Sequence, residues 1–352
     1  MALALRLAEK GLYSASPNPR VGCVMVRAGK IIGEGWHEKA GGPHAEILAL
    51  DGAGEAARGA TAYVTLEPCN HQGRTGACSE ALIKAAVARV VAATLDPNPL
   101  VNGSGTARLE AAGIRVESGL LENEARELNI GFISRMTRGR PWVRMKIAAS
   151  LDGKTALNNG QSQWMTGEAA RRDAHHWRAR SCAVLTGIGT VKDDDPQLNV
   201  RHVPTPRQPL RVVVDSRLEI SPAAKVLQGG KVVIYCAVND EQKAARLQGQ
   251  DVQLVALPNQ EGKVELSQMM SDLAQREVNE VLVEGGFRLN GSLLQAGLVD
   301  ELLIYFAPHL IGDKARGMFH LSELGDLAGR RELKILDLRQ VGGDLRVLAR
   351  FA

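Results

Sequence analysis

Short apolar runs rich in β-branched residues recur along this chain, each followed by a stretch with helical spacing. That alternation limits the fold more than any other feature, because strands separated by helices form layered α/β sheets. In the first half VGCVMV at 21 to 26, TAYVTL at 61 to 66 and RVVAAT at 89 to 94 read as strands, with helix-like segments such as SEALIKAAV between them. The second half repeats the pattern in WVRMKIAAS, LRVVVD, KVVIYC, EVLVEG and DELLIYFAP. Between the halves lies RMTRGRPW at 135 to 142, basic and punctuated by Gly139 and Pro141, which marks a boundary near Arg140. A chain of 352 residues also exceeds what one hydrophobic core usually serves. Two α/β domains are expected, 1–140 and 141–352.

With 45% hydrophobic and 23% charged residues the composition is that of an ordinary globular protein. The formal charge of +4 is small and its Lys and Arg are scattered, so a nucleic-acid partner is not expected. No run of about 18 uncharged apolar residues occurs, so no membrane span is expected either. The opening MALALRLAEKGLY is interrupted by Arg6, Glu9 and Lys10 and reads as an amphipathic helix rather than a signal peptide. Five cysteines without such a signal point to a reducing, cytoplasmic compartment and away from disulfides. Cys23, Cys182 and Cys236 sit in apolar strands without a ligand partner at useful spacing and read as core thiols.

The other two cysteines have company. His44-Ala45-Glu46 opens a predicted helix, Pro68-Cys69 follows the strand TAYVTL, and Cys78 comes after eight intervening residues. One His and two thiolates hold zinc and leave a fourth position for water, the arrangement of a catalytic site. Zinc lowers the pKa of such water to near neutrality, which suits attack on an amidine-like ring carbon. Residues two apart diverge along a helix, so His44 and Glu46 converge only if the metal sits over the helix N-terminus. Glu46 is then the proton shuttle from water to ring nitrogen and departing ammonia. A closed four-ligand zinc module binding nucleic acid would instead need a fourth ligand and a basic stripe, and the sequence offers neither.

Pro17-Asn18-Pro19-Arg20-Val21-Gly22-Cys23-Val24, His44-Ala45-Glu46 and Thr65-Leu66-Glu67-Pro68-Cys69-Asn70-His71-Gln72-Gly73-Arg74-Thr75 together resemble the bifunctional deaminase/reductase family of riboflavin biosynthesis. The resemblance implies zinc on His44, Cys69 and Cys78, Glu46 as catalytic acid/base, and Asn18, His37, His71 and Arg74 against the substrate. For His37 and His71 a surface or capping role stays open. One departure is Gly76-Ala77, where the family has two prolines, so the zinc loop is expected to be less rigid.

In the second half no Gly-x-Gly-x-x-Gly follows a strand, so a standard dinucleotide fold is not expected. Two junctions do join a strand to a helix through glycine: Gly187-Ile188-Gly189-Thr190 after CAVLT, and Gly285-Gly286 after EVLV. Their backbone N–H groups suit phosphates. The resemblance continues through Lys146 to Lys154, Leu185 to Val191, Asp194 to Arg201, Val214-Asp215-Ser216 and Val283 to Gly286, and implies a dihydrofolate-reductase-like domain. By that likeness NADPH falls to Ala148, Trp164, Thr190, Asp194, Ser216 and the segment Gly286, Phe287, Arg288, Leu289, Asn290, Gly291 and Ser292. Substrate falls to Ser162, Arg178, Leu198, Arg201 and Glu284. Arg178 and Arg201 suit a phosphate through their forked donors, although surface arginines are common. Lys146 and Asp152 are candidates for assisting ribose opening or protonation. Arg217, beside Ser216, is a candidate for the 2′-phosphate of NADPH, or simply part of a turn. His175-His176 reads as helix surface. The fold expected is a cytidine-deaminase-like α/β/α layered domain followed by a dihydrofolate-reductase-like α/β domain. The chemistry expected is hydrolytic deamination of 2,5-diamino-6-(5-phosphoribosylamino)pyrimidin-4-one, then NADPH reduction of the ribosyl chain to ribityl. The partners are small phosphoribosylated pyrimidines, with a homo-oligomer open.

Overall fold

The computed structural model describes residues 1–70, 76–99, 101–247, 249 and 251–352. They form two compact units, Met1–Arg140 and Pro141–Ala352.

The first unit contains α1 (Ala2–Glu9), β1 (Gly22–Arg27), β2 (Lys30–Trp36), α2 (Ala45–Ala53), β3 (Thr61–Val64), α3 (Cys78–Lys84), β4 (Arg89–Ala92), α4 (Ser104–Ala111), β5 (Arg115–Ser118), α5 (Glu122–Leu128) and α6 (Ile130–Arg138). Its sheet runs β2-β1-β3-β4-β5. The β1–β2 and β1–β3 pairs are antiparallel, while β3–β4 and β4–β5 are parallel. Strand β2 was not among the expected strands because its glycines break the alternation. It follows β1 through Ala28 and Gly29, both at positive φ as a two-residue hairpin requires. Those glycines serve packing: a Cβ on Gly35 would lie 2.3 Å from the Ala45 carbonyl oxygen, so α2 rests backbone to backbone on β2. Ala45, Ala49 and Ala53 complete that close contact within the unit's core. The first turn of α2, with His44 and Glu46, is thereby seated firmly on the sheet.

The second unit contains β6 (Trp142–Ser150), β7 (Lys154–Ala156), α7 (Glu168–Arg180), β8 (Ala183–Gly187), α8 (Ile188–Asp194), β9 (Leu210–Val214), β10 (Val232–Cys236), α9 (Glu241–Ala245), β11 (Val252–Ala256), α10 (Leu266–Gln275), β12 (Glu280–Val283), α11 (Phe287–Gln295), β13 (Glu301–Ala307), β14 (Arg316–Gly317), β15 (Leu333–Val341) and β16 (Asp344–Phe351). Nine strands align as β11-β10-β9-β8-β12-β6-β13-β16-β15. Those from β11 to β13 are parallel, and β16 and β15 close the edge antiparallel. Successive residues enter opposite cores: Leu185, Val212 and Val283 face one, Val184, Val213 and Leu282 the other. A sheet buried on both faces explains why these strands read as continuous apolar runs. The chain starts at β6, builds outward from β8 to β11, then returns to lay β12 between β8 and β6. Connections part at that point, opening a crevice at the carboxyl ends of the strands. No helix among the described residues is long and apolar enough to cross a membrane.

Candidate functional site

In the first unit the three expected ligands converge. His44 is the extended residue capping α2, Cys69 lies in the loop after β3, and Cys78 is the first residue of α3. His44 Nδ1 is 3.2 Å from Cys78 Sγ and 3.5 Å from Cys69 Sγ, and the three ligand atoms all lie within 4.8 Å of one another. With metal bonds of about 2.0–2.3 Å, tetrahedral ligand atoms are separated by distances of this order, so the set fits zinc with one position open. The Cys78 backbone N–H donates to Cys69 Sγ at 3.4 Å. The Cys69 thiol is held well below its ordinary range, first by the Cys78 thiol and then by His44 and that N–H. Glu46, in the first turn of α2 and 3% exposed, is raised to about 7 by burial. A carboxyl poised there is suited to pass a proton in either direction near neutrality. Ala77, where the family has proline, keeps φ −62° and ψ 132°, a backbone a proline would also hold.

His71 and Arg74 lie outside the described residues. The His37 ring is buried, with Nδ1 3.0 Å from the Pro43 carbonyl and Nε2 3.0 Å from Asn18 Nδ2. A carbonyl only accepts, so Nδ1 carries the hydrogen and the neutral ring's Nε2 accepts from Asn18. Both nitrogens of His37 are therefore engaged, and it orients Asn18 and the residue before His44.

In the second unit a cavity of about 780 Å³ opens at the crevice between β6, β8 and β12. It brings together Lys146, Ala148, Ser162, Trp164, Arg178, Thr190, Asp194, Leu198, Arg201, Glu284, Gly286, Phe287 and Asn290. Arg178 forks onto Glu284, Nε to Oε1 at 2.5 Å and Nη2 to Oε2 at 2.9 Å, and its Nη1 donates to the Asn199 carbonyl. Burial alone would raise the Glu284 carboxyl, but the Arg178 guanidinium holds it at about 2. Arg201 points its Nη1 to Asn199 Oδ1 and Gln197 Oε1 and is solvent-exposed, which leaves it the freer of the two arginines. Lys146 has its pKa lowered by burial, opposed by Glu284. Ser162 Oγ donates to Asp194 Oδ1 at 2.6 Å. Asn290 is 2% exposed and its Oδ1 has no hydrogen-bond partner among the described residues. A buried acceptor left open in a cavity of this size, on a helix capped by Gly286, fits a dinucleotide.

Other expected residues fall outside the cavity lining. Asp152 accepts from Ser150 Oγ and from the N–H groups of Ile311 and Gly312, so its oxygens tie a turn to the 309–312 loop. Ser216 Oγ accepts the Val264 N–H, and exposed Arg217 offers its carbonyl to Lys243. Arg288, Leu289, Gly291 and Ser292 continue α11 behind the lining, where a Cβ on Gly291 would lie 2.0 Å from the His320 carbonyl oxygen. The reading of His175 as helix surface is corrected. It is 4% exposed, lines the cavity, and its Nδ1 accepts the Arg201 backbone N–H at 3.2 Å. Burial, then Arg178, Arg201 and His202, push it down to about 3, so it is neutral. Its spacing of three from Arg178 on α7, which puts both on one face, was the available signal.

A His-Cys-Cys zinc set beside a buried carboxyl, and a dinucleotide-sized cavity in a separate α/β unit, make this a zinc-binding deaminase joined to a pyrimidine reductase. Residues 1–94 match the model of the cytidine and deoxycytidylate deaminase zinc-binding region, and residues 141–347 that of the RibD C-terminal domain. The riboflavin biosynthesis protein RibD of Escherichia coli K12 is 46% identical over 357 residues, covering 98% of this chain and 96% of its own. RibD of Aquifex aeolicus is 46% identical over 314 residues, covering 89% and 87%. The structure of Acinetobacter baumannii RibD superposes with TM-score 0.93 at 46% identity, covering 100% of this chain and 97% of that one. The Thermotoga maritima diaminohydroxyphosphoribosylaminopyrimidine deaminase/5-amino-6-(5-phosphoribosylamino)uracil reductase does so with TM-score 0.88 at 33% identity, with the same coverage. The chain belongs to the RibD family, the bifunctional deaminase/reductases of riboflavin biosynthesis.

Proposed function

We propose that residues 1–140 deaminate 2,5-diamino-6-(5-phosphoribosylamino)pyrimidin-4-one and residues 141–352 reduce the ribosyl chain of the resulting 5-amino-6-(5-phosphoribosylamino)uracil. The observation that carries the first half is the convergence of His44, Cys69 and Cys78 beside a buried Glu46. Zinc held by those three supplies Lewis acidity that makes water nucleophilic near neutral pH. Glu46 takes a proton from the attacking water and gives it to the ring nitrogen, then moves the remaining hydroxyl proton to the amino group as the C–N bond breaks, so that ammonia leaves and a carbonyl remains. Asn18 contacts the pyrimidine, with His37 holding its amide, and His71 and Arg74 are assigned to the same substrate.

In the second half NADPH, when bound, would supply hydride; Ala148, Trp164, Thr190, Asp194 and the segment 286–292 would hold it, and Ser216 and Arg217 would take its 2′-phosphate. Arg201 meets the substrate phosphate, and the Arg178–Glu284 pair with Ser162 and Leu198 holds the sugar. Lys146, a half-buried amine near Glu284, Arg178 and Asp194, is the group that moves the proton as the ribose opens and is reduced. Asp152 fixes the neighbouring turn. Product analysis with and without NADPH tests the assignment. Deaminated ribosyl product should accumulate without it and ribityl product appear with it. Ribityl product that retains the 2-amino group would overturn the order.

A second copy of the chain is the partner we assign to β15. This edge strand exposes Leu333, Ile335, Leu336 and Leu338, and among the described residues it pairs only with β16. Such an edge invites self-association unless it is covered. Sedimentation should show a dimer that Leu338→Lys weakens. A cytoplasmic, reducing location suits zinc-binding thiols.

A further inference from the structure

We infer that Glu67 is a positioning residue for the metal centre, a carboxylate that locks the zinc loop to the first turn of α4. It stands two residues before Cys69, is 3% exposed, and its two oxygens collect four backbone N–H groups. Oε2 accepts from Asp96 at 3.1 Å and Gly103 at 2.9 Å, and Oε1 accepts from Gly105 at 2.9 Å and Thr106 at 3.1 Å. Its own N–H donates to the Thr94 carbonyl at 3.0 Å. Helix α4 lacks a side-chain cap of its own, since its N-cap is Gly103. The Thr106 hydroxyl is occupied by the Gly103 carbonyl at 2.9 Å. The orphan donors of that helix end are thus satisfied from the loop after β3, which ties two segments about forty residues apart.

The clamp presses on the ligand loop itself. A Cβ on Gly105 would lie 1.8 Å from the Pro68 carbonyl oxygen and 3.2 Å from Glu67 Oε1. Pro68 immediately precedes Cys69, so α4 abuts the peptide that carries the ligand, with no room for a side chain. Four donors aimed at two oxygens can be met only by a carboxylate. Glutamine offers one oxygen and turns its NH₂ toward two N–H groups. Small displacements of a ligand-bearing peptide matter because groups beyond the ligands set their orientation, and changing them typically weakens metal binding about 10–100-fold.

This inference rests on the zinc reading of His44, Cys69 and Cys78, and the test separates the two. Full-length wild type, Glu67→Gln, Glu67→Asp and Gly105→Ala are compared by zinc competition with a chromophoric chelator and by the thiolate-to-cobalt absorption band after cobalt replacement. Deamination kcat and KM, and reduction of already deaminated substrate, are read alongside. Glu67→Gln and Gly105→Ala should bind zinc about 10–100-fold more weakly, shift the cobalt band and lower kcat more than KM rises. Reduction should be unchanged, which reports that the second unit is folded, the far-UV circular dichroism spectrum should match that of wild type, which reports the first, and Glu67→Asp should recover part of the affinity. If Glu67→Gln does not fold, Gly105→Ala attacks the same contact from the helix side. Variants with wild-type zinc affinity and cobalt spectrum but lower thermal stability would make Glu67 an ordinary helix cap and overturn the inference. A wild type that binds no zinc would overturn the zinc reading and this inference with it.

Discussion

Replacing Arg178 by Met removes the fork that holds Glu284, and the cost can be worked from the pair's own geometry. Both side chains are nearly buried, at 13% and 11% exposure, with contacts of 2.5 and 2.9 Å. Holding Glu284 at about 2 instead of its ordinary 4.5 corresponds to roughly 3 kcal/mol at neutral pH, at about 1.36 kcal/mol per pH unit. Breaking a buried pair by removing one partner costs about 3–5 kcal/mol, which agrees. A domain of this size should then melt about 6–12 °C lower. Three of the four tryptophans, Trp142, Trp164 and Trp177, lie in the second unit, so fluorescence follows its unfolding. The sign is fixed by linkage. A depressed carboxyl contributes stability above 4.5 and loses it as pH falls toward 2, whereas an unpaired buried Glu284 is easier to fold once protonated. The gap between wild type and variant should therefore be widest near pH 7 and narrow as pH falls through 4.5 toward 2. Adding Glu284→Gln to the variant should recover most of the loss. A pH-independent gap, or one below about 0.5 kcal/mol, would refute the claim that the pair is a desolvated charge clamp.

Glu46→Gln should lower deamination by roughly 10²–10⁴ while zinc content and reduction of deaminated substrate persist; loss of both reactions in folded protein would contradict two independent sites. Metal analysis should find about one zinc per chain, and Cys69→Ser with Cys78→Ser should lose it. NADPH should be preferred to NADH, and Arg217→Ala should reduce that preference about tenfold. This is the low end for a charged hydrogen bond, about 1.5 kcal/mol, because the side chain is exposed. An unchanged kcat/KM ratio would leave the 2′-phosphate to Ser216 or another group.

The α/β character and most strands were legible because apolar periodicity is a local property. VGCVMV, RVVAAT, LRVVVD, KVVIYC and EVLVEG all contain strands. Strand β2 escaped because its glycines answer to a helix packed above it, and β15 because an exposed edge carries no inside–outside pattern. The zinc set was legible because softness of the donors and their place at a helix start and strand end are written in a few neighbouring residues.

Residue order therefore sets chemical identity: which side chains can ligate zinc, shuttle a proton or fork onto a phosphate. Which partners occupy those side chains is set by the folded arrangement. It spent both His37 nitrogens on Asn18 and Pro43, bound Asp152 to the 311–312 backbone, and buried His175 as an acceptor for Arg201. It also delivered four N–H groups to Glu67. Each of those outcomes depends on segments far apart in the chain meeting at hydrogen-bond distance, and hydrogen bonding is directional and short-ranged. A one-dimensional pattern fixes what a residue can do; the fold fixes whether its donors and acceptors are still free to do it.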